Sequence, residues 1–371
     1  MFLAFREIRR AKTRFALLIG AVAMLVFLIL FQYTIQNSLV RAFVGGVDNQ
    51  NAEILVFNVD GRRTTQSSTV NDDLRALVEG TDGVAETGSI WASTFTMDTG
   101  EETEAVSVLS FDNADVGAPE LVEGSWAQAP GEVVANDSDA TRGFDVGSTV
   151  TVVPGEVELT VVGLVRDAGI NVVPTIYTTP DTYLSVLQTR LPDAVMPPAN
   201  VVAVQPESGT DAAALASKLN EASGDIDALT RSDASEKNPG VASIKQSFNV
   251  IFVLFALVVP LVTGLFFLIL TFQKAESLTL LRALGIPASE LVKGLLTQVA
   301  FVLVFGIALG VALYYPISQV RLSSVALRFE TTATIVWCAL LATLGLISAL
   351  ASIRRVLQID PIAATTGAGV R

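Results

Sequence analysis

Four windows of this chain carry no charged side chain: residues 15–40, 246–273, 294–320 and 331–353. Each exceeds the roughly 20 apolar residues that an α-helix needs to cross the hydrocarbon core of a bilayer. The pattern predicts four transmembrane helices at those positions. Between the first and second, the polar and apolar positions take other periods. Residues 52–59, 92–97 and 105–111 read as strands, and 71–79 as a helix that Gly80 stops. Further on, 131–135 and 148–153 read as strands, and after a Pro154-Gly155 turn Val157, Leu159 and Val161 alternate with Glu158 and Thr160. Past a Pro-rich linker at 192–198 the chain returns to strand (200–204), helix (211–222) and strand (226–230). The expected fold class is an α-helical membrane protein with four transmembrane helices and a mixed α/β extracytoplasmic domain, 41–245, between helices 1 and 2. In that domain an α/β lobe carries an inserted, mostly β lobe at about 112–198.

Charge gives the arrangement a direction. Hydrophobic residues make up 51% of the chain, yet the net charge is −13. The two facts belong to different regions, because residues 36–246 hold 32 of the 37 acidic but only 11 of the 24 basic residues, a balance of −21. The large loop is thus an acidic, water-exposed domain. The bases beside the spans form three clusters: Arg6, Arg9, Arg10, Lys12 and Arg14; Lys274, Arg282 and Lys293; Arg354 and Arg355. Positive clusters stay inside, so both termini and the 274–293 segment are expected in the cytoplasm of a multi-pass cell-membrane protein, with 41–245 and the 321–330 loop outside. Arg321 and Arg328 are exceptions in that short loop. Residues 1–14 read as a basic amphipathic lead-in on the inner surface, and 354–371 as a cytoplasmic tail. A cleaved signal peptide is the alternative for the first window, but its length and the lack of a small-x-small site favour a retained helix.

The candidate chemistry is sparse. The chain has no histidine, which removes the commonest metal ligand, the usual general base and the Ser-His and Cys-His pairs. Cys338, the sole cysteine, falls in the fourth span, so the exported domain holds no disulfide. No G-x-x-x-x-G-K-[ST] loop is present to cradle phosphates. No catalytic or metal residue is expected, the chain needs no cofactor of its own, and an anchored enzyme is disfavoured.

The charged island at 274–293 stands out between two uncharged runs. Gly285 sits where a helix ending at Leu284 needs a left-handed residue, Pro287 where a new helix takes proline first, and Glu290 in the favourable first turn. The reading is helix, break and short helix at the membrane face, a shape suited to docking. In the second span Pro260 and Gly264 mark a candidate hinge, although proline is also common in membrane helices. In the third, Gly306 and Gly310 form a small-xxx-small packing face.

The island's Glu276-Ser-Leu-Thr-Leu-Leu-Arg-Ala-Leu-Gly285 resembles an E-x-x-x-L-R-A-x-G pattern, with Arg282, Ala283 and Gly285 on its positions. Gly306 and Gly310 resemble the G-x-x-x-G of the following helix, and Asp360-Pro-Ile-Ala-Ala364 a D-P-x-E-A box in which Ala363 replaces the usual Glu. The order Gly124-Ser-Trp126, Gly131 to Ala135, Gly143 to Val150 and Thr160 to Gly163 is similar to a periplasmic core domain. Together these resemble the permease subunits of MacB/FtsX-like (type VII) ABC transporters over essentially the whole chain. The resemblance implies a homodimer of this chain in the lipid bilayer, bound to two copies of a separate ABC ATPase that carries ATP and Mg, with no nucleic-acid partner. It also implies coupling to that ATPase through Arg282, Gly285, Pro287, Glu290, Leu291 and Lys293. The plainer alternative is that Leu291, Val292 and Leu295 pack on neighbouring spans while Glu290 and Lys293 form an exposed pair. Within the family, residues 2–8, 271–274, 359–362 and Gly367-Ala368 look most like the haem-exporting permeases of HrtB type. That implies efflux of a hydrophobic or amphipathic compound such as haem. Without histidine, iron would need Tyr, Met or carboxylate, and Met24 and Tyr33 are the candidates, with ordinary lipid or packing roles as the alternative. The competing function is a transmitter that moves no substrate and controls a cell-wall hydrolase or sensor through its outer domain.

Overall fold

The computed structural model describes residues 11–273, 287–322 and 325–357. The chain separates into two compact units. One takes the residues up to Ile35, Ser247–Val320 and those from Leu327 onward; the other takes Gln36–Gln246 with Arg321–Ala326.

The first helix, α1 (Lys12–Asp48), runs past both ends of its uncharged window. Arg41 is a good helix former, and Val44 and Val47 beyond it are buried in the core of the α/β unit, so burial carries the helix through Gly45-Gly46. There follow β1 (Ile54–Asn58), α2 (Asp72–Glu79), β2 (Val84–Asp98), β3 (Thr103–Phe111), the one-turn α3 (Ala114–Gly117), β4 (Leu121–Gly124), β5 (Glu132–Asn136), β6 (Thr149–Val153) and β7 (Val157–Val165). Then come β8 (Thr175–Thr178), α4 (Pro180–Gln188), β9 (Val201–Pro206), α5 (Ala212–Ala222), β10 (Ile226–Thr230) and α6 (Arg231–Glu236).

Helix starts follow local chemistry. Asn71 and Asp211 cap α2 and α5 by accepting the amides of Leu74 and Ala214. Sequence reading misses β8 and α4, although Thr179-Pro180-Asp181 carries a full start signal: a hydroxyl cap, proline in the first turn and an acid beside it.

The strands form one ten-stranded sheet in the order β10-β1-β9-β2-β3-β8-β5-β7-β4, with β6 set against β2 and β7. As expected from sequence, β9 and β10 return to pair antiparallel with β1. The 112–198 strands, however, make no separate sheet. The free edge of β3 is taken by β8 in parallel, Ser107–Ser110 against Thr175–Thr178, and β5, β7 and β4 continue outward from there. The reason is burial: from Val106 to Ser110 β3 is buried at every position, so both of its edges need a strand.

The helical unit contains α7 (Pro239–Phe272), α8 (Ala288–Ile317) and α9 (Thr331–Leu357) together with most of α1. Among the described residues these four helices are long and apolar enough to cross a membrane. Val22, Val26, Ile29, Val302 and Leu303 are central to their shared core. The short helix expected beyond Pro287 is not separate. It is the beginning of α8, which continues without interruption into the third span. Gly294 is the weakest helix former at that junction and costs only about 1 kcal/mol, too little to break a helix that packing holds.

Candidate functional site

Arg282 and Gly285 lie outside the described residues, as do the rest of 274–286, residues 1–10 and the Asp360 to Ala364 box. Pro287 is the N-cap of α8, with φ −64° and ψ 141°, rather than its first helical residue. In the first turns Lys293 Nζ donates to Glu290 Oε1 at 2.9 Å, and both side chains are exposed. Leu291 and Leu295, one helical turn apart, are buried. Leu291 thus packs within the chain, and the exposed side of this turn carries the Glu290–Lys293 pair.

Gly306 and Gly310 bring α8 against α1. A β-carbon on Gly306 would stand 2.6 Å from Val22 Cγ1, and one on Gly310 would stand 2.7 Å from the carbonyl oxygen of Ala23. Only glycine admits that approach. Further along the same pair, Thr34 Oγ1 and Tyr314 Oη share a buried hydrogen bond of 2.5 Å, a contact that no local pattern announces.

Pro260 lies inside α7, where it supplies no amide to the preceding turn. Its own carbonyl accepts Ser348 Oγ of α9 at 2.5 Å, and Thr263 Oγ1 donates to Val259 O at 2.7 Å. The proline turn is thus tied to a second helix. Beside it a groove of about 420 Å³ runs along Pro260, Gly264, Leu265 and Ser348.

Tyr33 belongs to an aromatic cluster. Its ring centroid lies 6.1 Å from Trp337, edge-on, and 6.5 Å from Phe252, while Phe252 and Trp337 stack at 5.1 Å. Met24 is exposed and sits nine positions earlier on α1, two and a half turns away and hence on the opposite side. The two candidates are not brought together. Phe252 and Trp337 were legible only as isolated aromatics near the ends of apolar windows.

Several buried polar groups of the α/β unit are paired. Tyr177 Oη donates to Ala168 O at 2.6 Å, and burial, with Asp139 nearby, pushes the phenol far above its ordinary range. Arg142 pairs with Glu104, whose carboxyl burial nonetheless holds above its usual value. Among the described residues no three His, Cys, Asp or Glu side chains converge to hold a metal.

Residues 13–222 match the MacB-like periplasmic core domain family. The chain is 20% identical over 371 residues to the hemin transport system permease protein HrtB of Staphylococcus epidermidis, covering 99% of both chains. It is likewise 20% identical over 370 residues to that of Staphylococcus haemolyticus, again over 99% of both. Among solved structures it is similar to the periplasmic region of MacB from Actinobacillus actinomycetemcomitans, with 14% identity over 55% of this chain and 94% of that one and a TM-score of 0.36. The extracellular domain of the noncanonic ABC-type transporter YknZ from Gram-positive bacteria gives 15% identity over 48% and 98%, with a TM-score of 0.33.

Proposed function

We propose that this chain, which belongs to the MacB/FtsX-like ABC permease family, is the membrane subunit of an exporter that expels a hydrophobic or amphipathic compound, with haem as the leading substrate. The observation that carries the reading is co-linearity over 99% of both chains with permeases named for hemin transport. Energy comes from elsewhere: the chain has no phosphate-cradling loop, so ATP and Mg belong to a separate ABC ATPase. Two such ATPases drive a dimer of this chain, with both termini in the cytoplasm and the acidic α/β domain outside. ATP-driven closure presses on the cytoplasmic end of α8, where Glu290 and Lys293 are an exposed polar pair. Stacking on the Tyr33, Phe252 and Trp337 rings suits a planar aromatic substrate, and the Tyr33 phenol would be the oxygen ligand this cluster offers to haem iron.

The test is hydrolysis of ATP by this chain co-purified in nanodiscs with its partner ABC ATPase, with and without hemin, together with hemin sensitivity of a deletion strain. Stimulation by hemin and hypersensitivity of the deletion strain are expected. Unchanged sensitivity would remove haem as substrate, and stimulation by a protein partner alone would turn the reading towards signal transmission.

A further inference from the structure

Between the last turns of α1 and one face of the sheet, the α/β unit has a small cavity of about 20 Å³. Most of its wall is apolar, with Leu55, Phe57, Ile90 and Leu109 on the sheet side. One wall residue is out of place. Gln50 is 1% exposed, and neither its Nε2 nor its Oε1 has a hydrogen-bond partner in the protein. Its main chain is fixed as well: Arg231 Nη1 donates to the Gln50 carbonyl at 2.5 Å, and Gln50 bridges Pro119. A buried amide left bare on both atoms carries an uncompensated desolvation cost.

Size and polarity specify what would relieve that cost. No charged side chain lines the cavity, so the ligand is neutral. A water needs about 10–15 Å³ of such space and two to four polar partners, so 20 Å³ admits one water and excludes an organic ligand. Besides Gln50 the polar side chains of the lining are those of Thr65 and Tyr177. Tyr177 already donates its proton to Ala168 O, so towards the cavity it is an acceptor. The wall therefore offers two acceptors, Gln50 Oε1 and Tyr177 Oη, and two donors, Gln50 Nε2 and Thr65 Oγ1, the complement of one water molecule.

We infer that this cavity is a binding site for a single long-lived water, held by the Gln50 carboxamide between the end of α1 and the sheet. The inference stands apart from the transport reading. It is tested on the full chain in detergent micelles with labelled Ile, Leu and Val methyls, by magnetisation transfer from water. Cross-peaks from water to the Leu55, Ile90 and Leu109 methyls are expected in the wild type, and their loss in Gln50→Leu, with Gln50→Met as the second variant if the first does not fold. A wild type without those cross-peaks, whose same methyls shift under xenon pressure, has a dry cavity and overturns the inference. A rise of several degrees in the unfolding midpoint of Gln50→Met would overturn it as well, since it would mean that a bare amide had been removed.

Discussion

A β-carbon on Gly46 would stand 2.5 Å from the hydroxyl of Tyr177, the same hydroxyl that donates at 2.6 Å to the carbonyl of Ala168. The end of α1 is thereby seated in the core of the α/β unit, and the same β-carbon would also stand 2.9 Å from Ile170 Cδ1. Gly46→Val should destabilise the unit by an amount in the upper part of the ~1–3 kcal/mol that overpacking costs. Tyr177→Phe should cost about 1 kcal/mol through the lost hydrogen bond. The double variant should lose less than the sum, because deleting the hydroxyl makes room for the new methyl groups. Chemical unfolding of the four proteins measures the coupling, and strict additivity would refute the contact.

The two glycines of α8 should not respond alike. A methyl on Gly306 meets the Val22 side chain, at Cγ1 2.6 Å and Cβ 2.7 Å, whereas one on Gly310 meets Val26 Cβ and also the main-chain oxygen of Ala23, each at 2.7 Å, and the main chain yields only if a helix moves. Gly310→Ala should therefore cost ~1–3 kcal/mol and Gly306→Ala less than about half of that. Thermal unfolding in detergent would rank them, and equal losses would count against the α1–α8 packing.

What could be read from the residues divides along local and non-local lines. The four apolar windows, the Asn71 and Asp211 caps and the return of 200–204 and 226–230 to the first strands are written in short-range pattern. The pairing of β3 with β8 joins residues more than sixty positions apart, and nothing local marks it. The same holds for Ser348 on the Pro260 carbonyl and for the ring cluster around Tyr33, which needs three helices to meet. Leu291 shows another limit of local pattern: an apolar residue beside charged ones reads equally as a docking contact and as an inward anchor, and in the folded chain it is buried.

The face that α8 presents can be separated from the fold it needs. The Glu290–Lys293 pair is exposed and worth only about 0.2–0.5 kcal/mol, so exchanging the two charges, Glu290→Lys with Lys293→Glu, should leave insertion and stability unchanged. If an ATPase reads those charges, co-purification with it and coupled hydrolysis should fall at least tenfold. Leu291→Asp should instead reduce the amount of folded protein, because it buries a carboxylate without a partner. Full ATPase binding by the charge-exchanged variant would remove this face from the coupling site.

Ser348 offers a test of the Pro260 turn. Its hydroxyl supplies the Pro260 carbonyl with a donor from another helix. Ser348→Ala should cost roughly 1 kcal/mol, while Ser348→Thr, which keeps the hydroxyl, should cost less. If the turn works as a hinge in transport, the alanine variant should change the rate of substrate-stimulated ATP hydrolysis by more than its small stability loss explains. Parallel, small losses in both would leave Pro260 a static kink.

Glu132 gives the α/β unit a predictable acid response. Its Oε2 accepts the amides of Ala129 and Gln128, each at 2.9 Å, and these two donors hold the carboxyl below its ordinary value of 4.5. The folded state therefore prefers the ionised form more strongly than the unfolded chain does. The sign follows: the stabilisation is complete above the ordinary value, and it is lost as the pH falls through the lowered folded value. Glu132→Gln keeps an acceptor for the two amides but not the charge. Its unfolding midpoint should lie below that of the wild type at neutral pH, and the gap should close as the solution is acidified past 4.5. A gap that stays constant across that range would mean that the shape of the side chain, and not its charge, orders the turn before β5.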